Sequence, residues 1–338
     1  MQTPTALASA TTARNTPGPS GYTILGAGVM GLCTAVELAS RGGRVTLVDP
    51  HPEPGPHACS WWAGGMLAPF CEGETAEEPV IRLGQTAADW WAAQGVEVVR
   101  RGTLVLALGR DRAELDRFAA RTREHRWVGG EELSALEPHL DGRFHRGLFF
   151  PAEAHLTPRV ALATLRARAA ALGVAFARTA PEGQRIDCRG LAARDALPEL
   201  RGVKGEMLVL RLPDLALSRP IRLLHPRIPI YLVPRGDGIY MLGATMIESA
   251  ERGRASVRSV LELLSAAYAL HPAFGEAEIL EIGTDARPAF PDNVPRLIQR
   301  DGTLFLNGLY RHGYLMAPVL ARMAADHLLS GEPVELLR

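Results

Sequence analysis

The chain has 338 residues, 47% of them apolar and 22% charged, the balance of a soluble globular protein with room for two domains or one large α/β unit. Its 37 Lys and Arg equal its 37 Asp and Glu, so it lacks the basic excess that a nucleic-acid or anionic-membrane surface needs. Cys33, Cys59, Cys71 and Cys188 form no Cys-x-x-Cys pair, no His cluster stands at zinc spacing, and no apolar run reaches membrane-span length, which argues for reduced thiols, no metal and no membrane partner.

Residues 1–20 are rich in Ala, Thr, Ser and Pro, contain no acid, and have no continuous apolar segment. They are expected as a disordered tail on a cytoplasmic protein, with a loose resemblance to an organelle transit peptide as the alternative. Order is expected from Gly21. Tyr22–Leu25 reads as a strand, followed by the glycine-rich turn Gly26–Gly31, a helix over Leu32–Arg41 stopped by Gly42-Gly43, and a strand over Arg44–Val48 that ends at Asp49. His51–Pro56 is loop-like, and Ala63–Pro69 is a second glycine-rich stretch. Thr75–Ala93 reads as one helix around Trp90 and Trp91, Thr103–Leu108 as a strand, and Arg112–Arg123 as an exposed helix. Pro158–Leu172 reads as a helix ending at Gly173, with a strand at Val174-Ala175-Phe176. Glu206–Leu212, Ile228–Val233 and Ile239–Gly243 alternate as strands do; Val257–Leu270 is a helix, Thr303–Leu306 a strand, and Gly313–Leu329 a closing helix.

Gly26-x-Gly28-x-x-Gly31 follows a strand, opens a helix, and is answered about 20 residues later by an acid at the end of the next strand. In that context Gly26 permits the turn, Gly28 lets the backbone approach a pyrophosphate, and Gly31 lets helix and strand pack closely. Val29 and Met30 complete the cofactor-contacting turn, and Asp49 is placed for two ribose hydroxyls. A ligand-free glycine turn is the plainer reading, but strand, helix and acid together favour a dinucleotide. Asp49 argues against a 2′-phosphate and hence NADP; it does not separate NAD from FAD.

Ser60-Trp61-Trp62-Ala63-Gly64-Gly65-Met66-Leu67-Ala68-Pro69 resembles the flavin-contacting Ser-x-x-Ala-Gly-Gly-Met-Leu-x-Pro segment of the glycine oxidases, members of the D-amino acid oxidase family. Tyr231-Leu232-Val233-Pro234-Arg235 and Gly243-Ala244-Thr245-Met246 match that family's Tyr-x-x-Pro-Arg and Gly-Ala-Thr-Met. Gly283–Pro288, Asp292–Pro295 and Asn307–Pro318 resemble its later blocks, and the resemblance spans Gly21 to Ser330, thinnest in the middle. It departs from the family where Ile186-Asp187-Cys188-Arg189-Gly190 replaces an Ala-Ala-Gly-Ala-Trp-Ser strand end, and where Val174 to Ile186 is too short, as if a β-hairpin were trimmed. Asn307 also replaces a glycine, and no His precedes Tyr310.

The resemblance implies a Rossmann-type FAD-binding domain interleaved with a β-rich substrate domain. Its expected parts are 21–85, 152–205 and 284–338 for the first and 86–151 and 206–283 for the second. It implies FAD contacts at Ser60, Ala63, Gly64, Gly65, Met66, Val174, Cys188, Gly190, His312, Gly313 and Leu315. The helix opening at His312-Gly313 would point positive charge at the flavin N1/C2 carbonyl. No cysteine follows Cys188, so the sarcosine-oxidase type of covalent attachment is not expected and FAD is expected to be non-covalent. Arg287 is the expected clamp for a substrate carboxylate through two parallel hydrogen bonds, with Tyr231 donating a further one. Met246 is a pocket wall or a core methionine, and Arg311 a neighbour of substrate or flavin or else a surface ion pair. The implied reaction is oxidation of glycine by oxygen, with peroxide released and the imine hydrolysed to glyoxylate and ammonia, in thiamine synthesis. A D-amino acid dehydrogenase, a sarcosine-type oxidase, a non-catalytic FAD scaffold and an NAD dehydrogenase are the alternatives, and a homo-oligomer is expected from the family.

Overall fold

The computed structural model describes residues 21–51, 53–225 and 229–338. The expected tail and the first residue of the strand expected from Ile228 lie outside the described residues. Two sheets organise the rest. The first has the order Arg296–Arg300, Thr303–Asn307, Gln184–Asp187, Tyr22–Leu25, Val45–Val48, Ala175–Ala177; all neighbours are parallel except the first pair. The second has nine strands, and its centre is Arg201–Arg211, Ile239–Gly243, Ile230–Pro234, Ile221–Leu224 and Thr103–Ala107. Among the described residues no helix is long and apolar enough to cross a membrane.

The helix Val29–Ser40 starts at Gly28 without a side-chain cap and buries every residue from Val29 to Leu38 between the parallel sheet and the helices Pro158–Ala171 and Gly313–Ser330. It ends where the Gly42 and Gly43 amides turn back to the Ala39 and Leu38 carbonyls at 3.0 and 2.9 Å. Its docking depends on Gly31: a Cβ there would lie 1.8 Å from the Gly26 carbonyl oxygen. Gly26 itself has φ +97, a conformation that L side chains rarely adopt.

The helix expected over Thr75–Ala93 is two, Glu78–Gly84 and Ala87–Ala93, and a short helix Pro69–Glu72 stands before them, which makes three in a row. Pro79 sits in the first turn of the middle one, where its missing N–H costs nothing, and so marks a restart. The strands Arg126–Gly129, Arg146–Phe150, Ile221–Leu224, Glu278–Ala289 and Arg296–Arg300 had no expectation in the sequence. Glu278–Ala289 has mixed patterning because its first half exposes Ile279, Leu280 and Ile282 while its second half buries Asp285 and Ala286. It pairs antiparallel with Arg201–Arg211 from Ala289 opposite Arg201 to Glu278 opposite Arg211, with one bulge at Val209/Leu210.

That ladder runs through both joints expected at 205/206 and 283/284. Packing is also continuous across the joint expected at 85/86. Ala87, Trp90, Trp91 and Val96 belong to the core around the parallel sheet, and the Trp91 indole donates to the Tyr314 carbonyl at 2.8 Å. The shortened middle is a direct connection, residues 178–183, from the edge strand Ala175–Ala177 to the inner strand Gln184–Asp187. At the other edge, the Leu297 amide donates to Leu336 and the Arg338 amide to Leu297, both at 2.9 Å, so the last residues extend the sheet.

The short helix Pro69–Glu72 is held from beneath. The fully buried Glu153 accepts from the Cys71 amide at 2.7 Å, and burial pushes its carboxyl up to about 7. A folded-state value above the unfolded one of 4.5 means the stability is fully present below 4.5 and is lost as pH rises through about 7. Wild type is expected to lose on the order of 2–3 kcal/mol relative to Glu153→Gln between these limits. Parallel urea melts at pH 5 and pH 8 check this; an equal pH response in both proteins would refute it. Gly31→Ala is expected to cost about 1–3 kcal/mol by overpacking, read from the same melts, and an unchanged midpoint would count against the tight docking.

Candidate active site

A cavity of about 740 Å³ opens at the carboxyl ends of the parallel strands, where Leu25, Val48, Cys188 and Asn307 reach its wall, and it runs on to the second sheet at Arg222, Tyr231 and Arg287. Doubly wound sheets bind ligands at this edge. Of the residues expected to hold a cofactor, Gly26, Gly28, Val29, Met30 and Asp49 line one end. Ser60, Ala63, Gly64, Gly65 and Met66 line the middle, with Cys188, Gly190, His312, Gly313 and Leu315. Gly31 is off the wall and acts by packing.

Val174 is also off the wall. It is buried in the core, its amide donates to Ala169 at 3.0 Å to close the preceding helix, and the strand begins one residue later. Arg178, one residue past that strand, faces the cavity instead.

The dinucleotide end fits its group. Asp49 is oriented by the Ala27 amide on Oδ2 and the His51 amide on Oδ1, both at 2.8 Å, and each carboxylate oxygen keeps a further lone pair for a ribose hydroxyl. The Val29 amide donates to Ser60 Oγ at 3.0 Å, which ties the second glycine-rich segment to the first helix turn. The remaining amides of that turn have no intrahelical acceptor, and neither do those of Gly313–Leu315 at the start of the last helix. Where the family strand end is missing, Arg189 takes over the local order: it donates from Nε to Asp187 at 2.8 Å and pairs bidentately with Asp195 at 2.9 Å. Asn307 replaces the usual glycine and donates to the Gly190 carbonyl at 2.9 Å.

The far end is built on the second sheet. Tyr231 lies between two glycines: a Cβ on Gly64 would fall 2.8 Å from its ring and one on Gly243 3.2 Å. Arg235 stiffens this contact by donating to the Leu156 and Gly64 carbonyls at 2.8 and 2.7 Å. Burial raises the Tyr231 phenol, keeping it a hydrogen-bond donor.

Arg287 donates from Nε to Val203 (3.2 Å) and from Nη2 to Lys204 (3.3 Å) and Thr245 (2.5 Å), all backbone carbonyls. Both forks of a guanidinium use Nη2, so the expected pair of parallel bonds to a carboxylate is already committed. Nη1 is the nitrogen left without a hydrogen-bond partner among the described residues. Burial lowers the Arg287 pKa, as befits a cation held without a carboxylate.

Arg311 is no surface pair. It is largely buried and meets Glu72, with Nη2 at 3.3 Å from Oε1 and 3.2 Å from Oε2. Met246 is neither wall nor core: it is 47% exposed at the rim, its sulfur 3.6 Å from the Tyr310 hydroxyl and from Arg311 Nη1.

Glu72 and Arg222 were missed in the sequence. Arg222 stands opposite Tyr231 on the neighbouring strand, so the two share a face. Its Nη1 lies 3.4 Å from Glu72 and its Nη2 3.1 Å from Glu74. The signal was an arginine inside the apolar run Ile221–Leu224, since such a residue is buried only when paired. Glu72 followed the Ser60–Pro69 block with no pattern of its own. Burial alone would raise the Glu72 carboxyl, but Arg311, His312 and Arg222 bring it down to about 2. Burial drives His312 to about 4, so it is neutral at neutral pH and does not act as a cation.

Cys59 also lines the cavity, under the charges of Asp285, Arg252 and Arg287. Burial pushes its thiol up to about 12, which leaves it protonated and a poor nucleophile.

The profile of the FAD dependent oxidoreductase family matches residues 22–327. A Rhizobium etli protein named "Putative thiamine biosynthesis oxidoreductase ThiO" is 53% identical over 317 residues, covering 91% of this chain and 97% of that protein. A glycine oxidase of Pseudomonas aeruginosa is 28% identical over 353 residues, covering 92% and 95%. The crystal structure of glycine oxidase from Geobacillus kaustophilus has the same fold, with a TM-score of 0.79 at 22% identity over 93% of this chain and 95% of that one. With a dinucleotide cleft, a second glycine-rich wall and a profile match along nearly all of its described length, the chain belongs to the family of FAD dependent oxidoreductases.

Proposed function

We propose that the protein oxidises glycine at an FAD site, and that the imine it forms serves thiamine synthesis. The observation that carries this reading is Arg287, a guanidinium without a carboxylate partner beside the Tyr231 phenol, at the end of the cavity away from Asp49. The names of the Rhizobium and Pseudomonas relatives support it. Nothing favours a dehydrogenase, a sarcosine-type oxidase or a scaffold, and membership of an FAD dependent family sets NAD aside.

When bound, FAD supplies the two-electron acceptor. The chain supplies position. Arg287 Nη1 and the Tyr231 hydroxyl hold the substrate carboxylate, fixing the Cα–H in a near-attack geometry. Gly64 admits Tyr231 and keeps that wall flat. The start of the last helix, at Gly313, stabilises negative charge developing in front of it. Glycine enters as the neutral amine, loses a hydride from Cα and a proton from nitrogen, and leaves as the imine; water then gives glyoxylate and ammonia. Oxygen takes up the two electrons and two protons as hydrogen peroxide. His312, buried against Glu72, is hard to protonate and therefore a weak base for this step.

Anaerobic glycine is expected to bleach the flavin band of the purified protein, and air to restore it with release of peroxide. A yellow protein that glycine leaves unchanged would overturn the reading. Tyr231→Phe is expected to raise KM for glycine by about tenfold, the loss of one hydrogen bond to a charged group. Arg287→Lys should raise it by roughly 10–100-fold with flavin retained; steady-state assays on both variants would remove either residue from the clamp if KM stayed put. FAD is proposed to be non-covalent, since the Cys59 thiol stays protonated; acid precipitation should leave a colourless pellet and a yellow supernatant.

A further inference from the structure

A single small carboxylate does not account for three arginines at one end of the cavity. Arg222, Arg287 and Arg311 all reach its wall, with Glu72 between the outer two. Glu72 bridges Arg222 and Arg311, and Glu74 takes the other nitrogen of Arg222. The Arg222 guanidinium also lies 5.2 Å above the Phe118 ring, fixing it from the side away from solvent. Two carboxylates thus answer two of the three guanidinium groups. The third, Arg287, is held by backbone carbonyl oxygens and the Tyr310 ring, has no carboxylate partner among the described residues, and keeps its charge for a ligand.

We propose that Glu72 and Glu74 select the substrate by charge: by occupying Arg222 and Arg311 they leave one uncompensated cation, so the site takes an amino acid with a single carboxylate and turns away one with a second acidic group. The inference rests on the amino-acid reading of the site and adds its charge class. Arg222 and Tyr231 share a sheet face, so an unmasked Arg222 lies next to the carboxylate clamp, where a second anionic group would reach it. With Glu72 in place, the same group meets a carboxylate on the cavity wall, and like charges at close range in a partly buried site repel strongly. Selection of this kind works by a built-in repulsion as much as by attraction.

The test uses the FAD-loaded protein and two ligands that are not turned over, acetate and malonate. Their Kd values are read from perturbation of the flavin absorption band. Wild type is expected to bind acetate more tightly than malonate. Glu72→Gln and Glu74→Gln should each shift the ratio toward malonate by about tenfold or more. Glu74 is a quarter exposed, so its variant carries the test even where the buried Glu72→Gln fails to hold cofactor. The double variant Glu74→Gln/Arg222→Met keeps the Glu72–Arg311 pair, leaves Arg287 as the single uncompensated cation, and should return the ratio to that of wild type. An unchanged ratio in the single variants, with acetate binding intact, would overturn the inference and leave the glycine reading standing. A malonate gain that persists in the double variant would also overturn it, since a loosened cavity and not an unmasked charge would then be the cause. Wild-type protein that binds no acetate and is not bleached by glycine would overturn both.

Discussion

The hydrogen-bonded ladder between Arg201–Arg211 and Glu278–Ala289 is the constraint on which the rest of this molecule depends. It belongs to the sheet that carries Tyr231 and Arg222, and just past its Arg201/Ala289 end Leu200 and Phe290 pack on Ile298 and Phe305 of the sheet that builds the dinucleotide cleft. Arg287 sits on it, and two of the three carbonyls that hold its guanidinium belong to the paired strand, at Val203 and Lys204. The spacing between the cofactor cleft and the carboxylate clamp is therefore set by backbone geometry. A two-domain enzyme with flexible linkers would have to recover that spacing at each turnover. Here strands cross both expected joints, and the distance is built in.

Electrostatics imposes a second order on the same region. Ionised groups inside a protein persist when paired or hydrogen-bonded. Glu72 is ionised because Arg311 and Arg222 flank it, whereas Glu153, behind the same short helix with the Cys71 amide as its partner, is pushed toward its neutral form. The same type of side chain thus takes opposite states at one short helix, according to its neighbours. Arg287 is the exception that has carbonyl dipoles in place of a counter-charge, and such an arrangement suits a group whose counter-ion arrives with the substrate.

The parts of this design that were legible in the sequence are those whose physics is local. Gly26, Gly28, Gly31 and Asp49 announce themselves because turn, helix start and strand end follow one another within 30 residues. The Tyr231 and Arg287 segments were legible through resemblance, though the way Arg287 offers its nitrogens was not, since that depends on carbonyls more than 40 residues away at Thr245 and more than 80 away at Val203 and Lys204. Glu72 and Arg222 are 150 residues apart and meet only through the fold. Val174 was misplaced because a strand start was assigned one residue early. The ladder across two of the expected joints was not legible either, because composition does not change along strands that run through them. Met246 was read through its motif, but rim and wall differ by a few ångströms that no motif encodes.

The cofactor sheet also ends in a particular way on each side. Its last parallel strand, Ala175–Ala177, is three residues long, and its opposite strand, Arg296–Arg300, is bonded to the chain's own Leu336 and Arg338. A long free strand edge invites pairing with another chain, and short or covered edges withhold that invitation. The chain leaves that three-residue edge by the short connection 178–183, so the open side of the sheet is too short to template a neighbour. A cleft that must stand empty before its cofactor arrives is thereby protected against edge-to-edge aggregation during that interval.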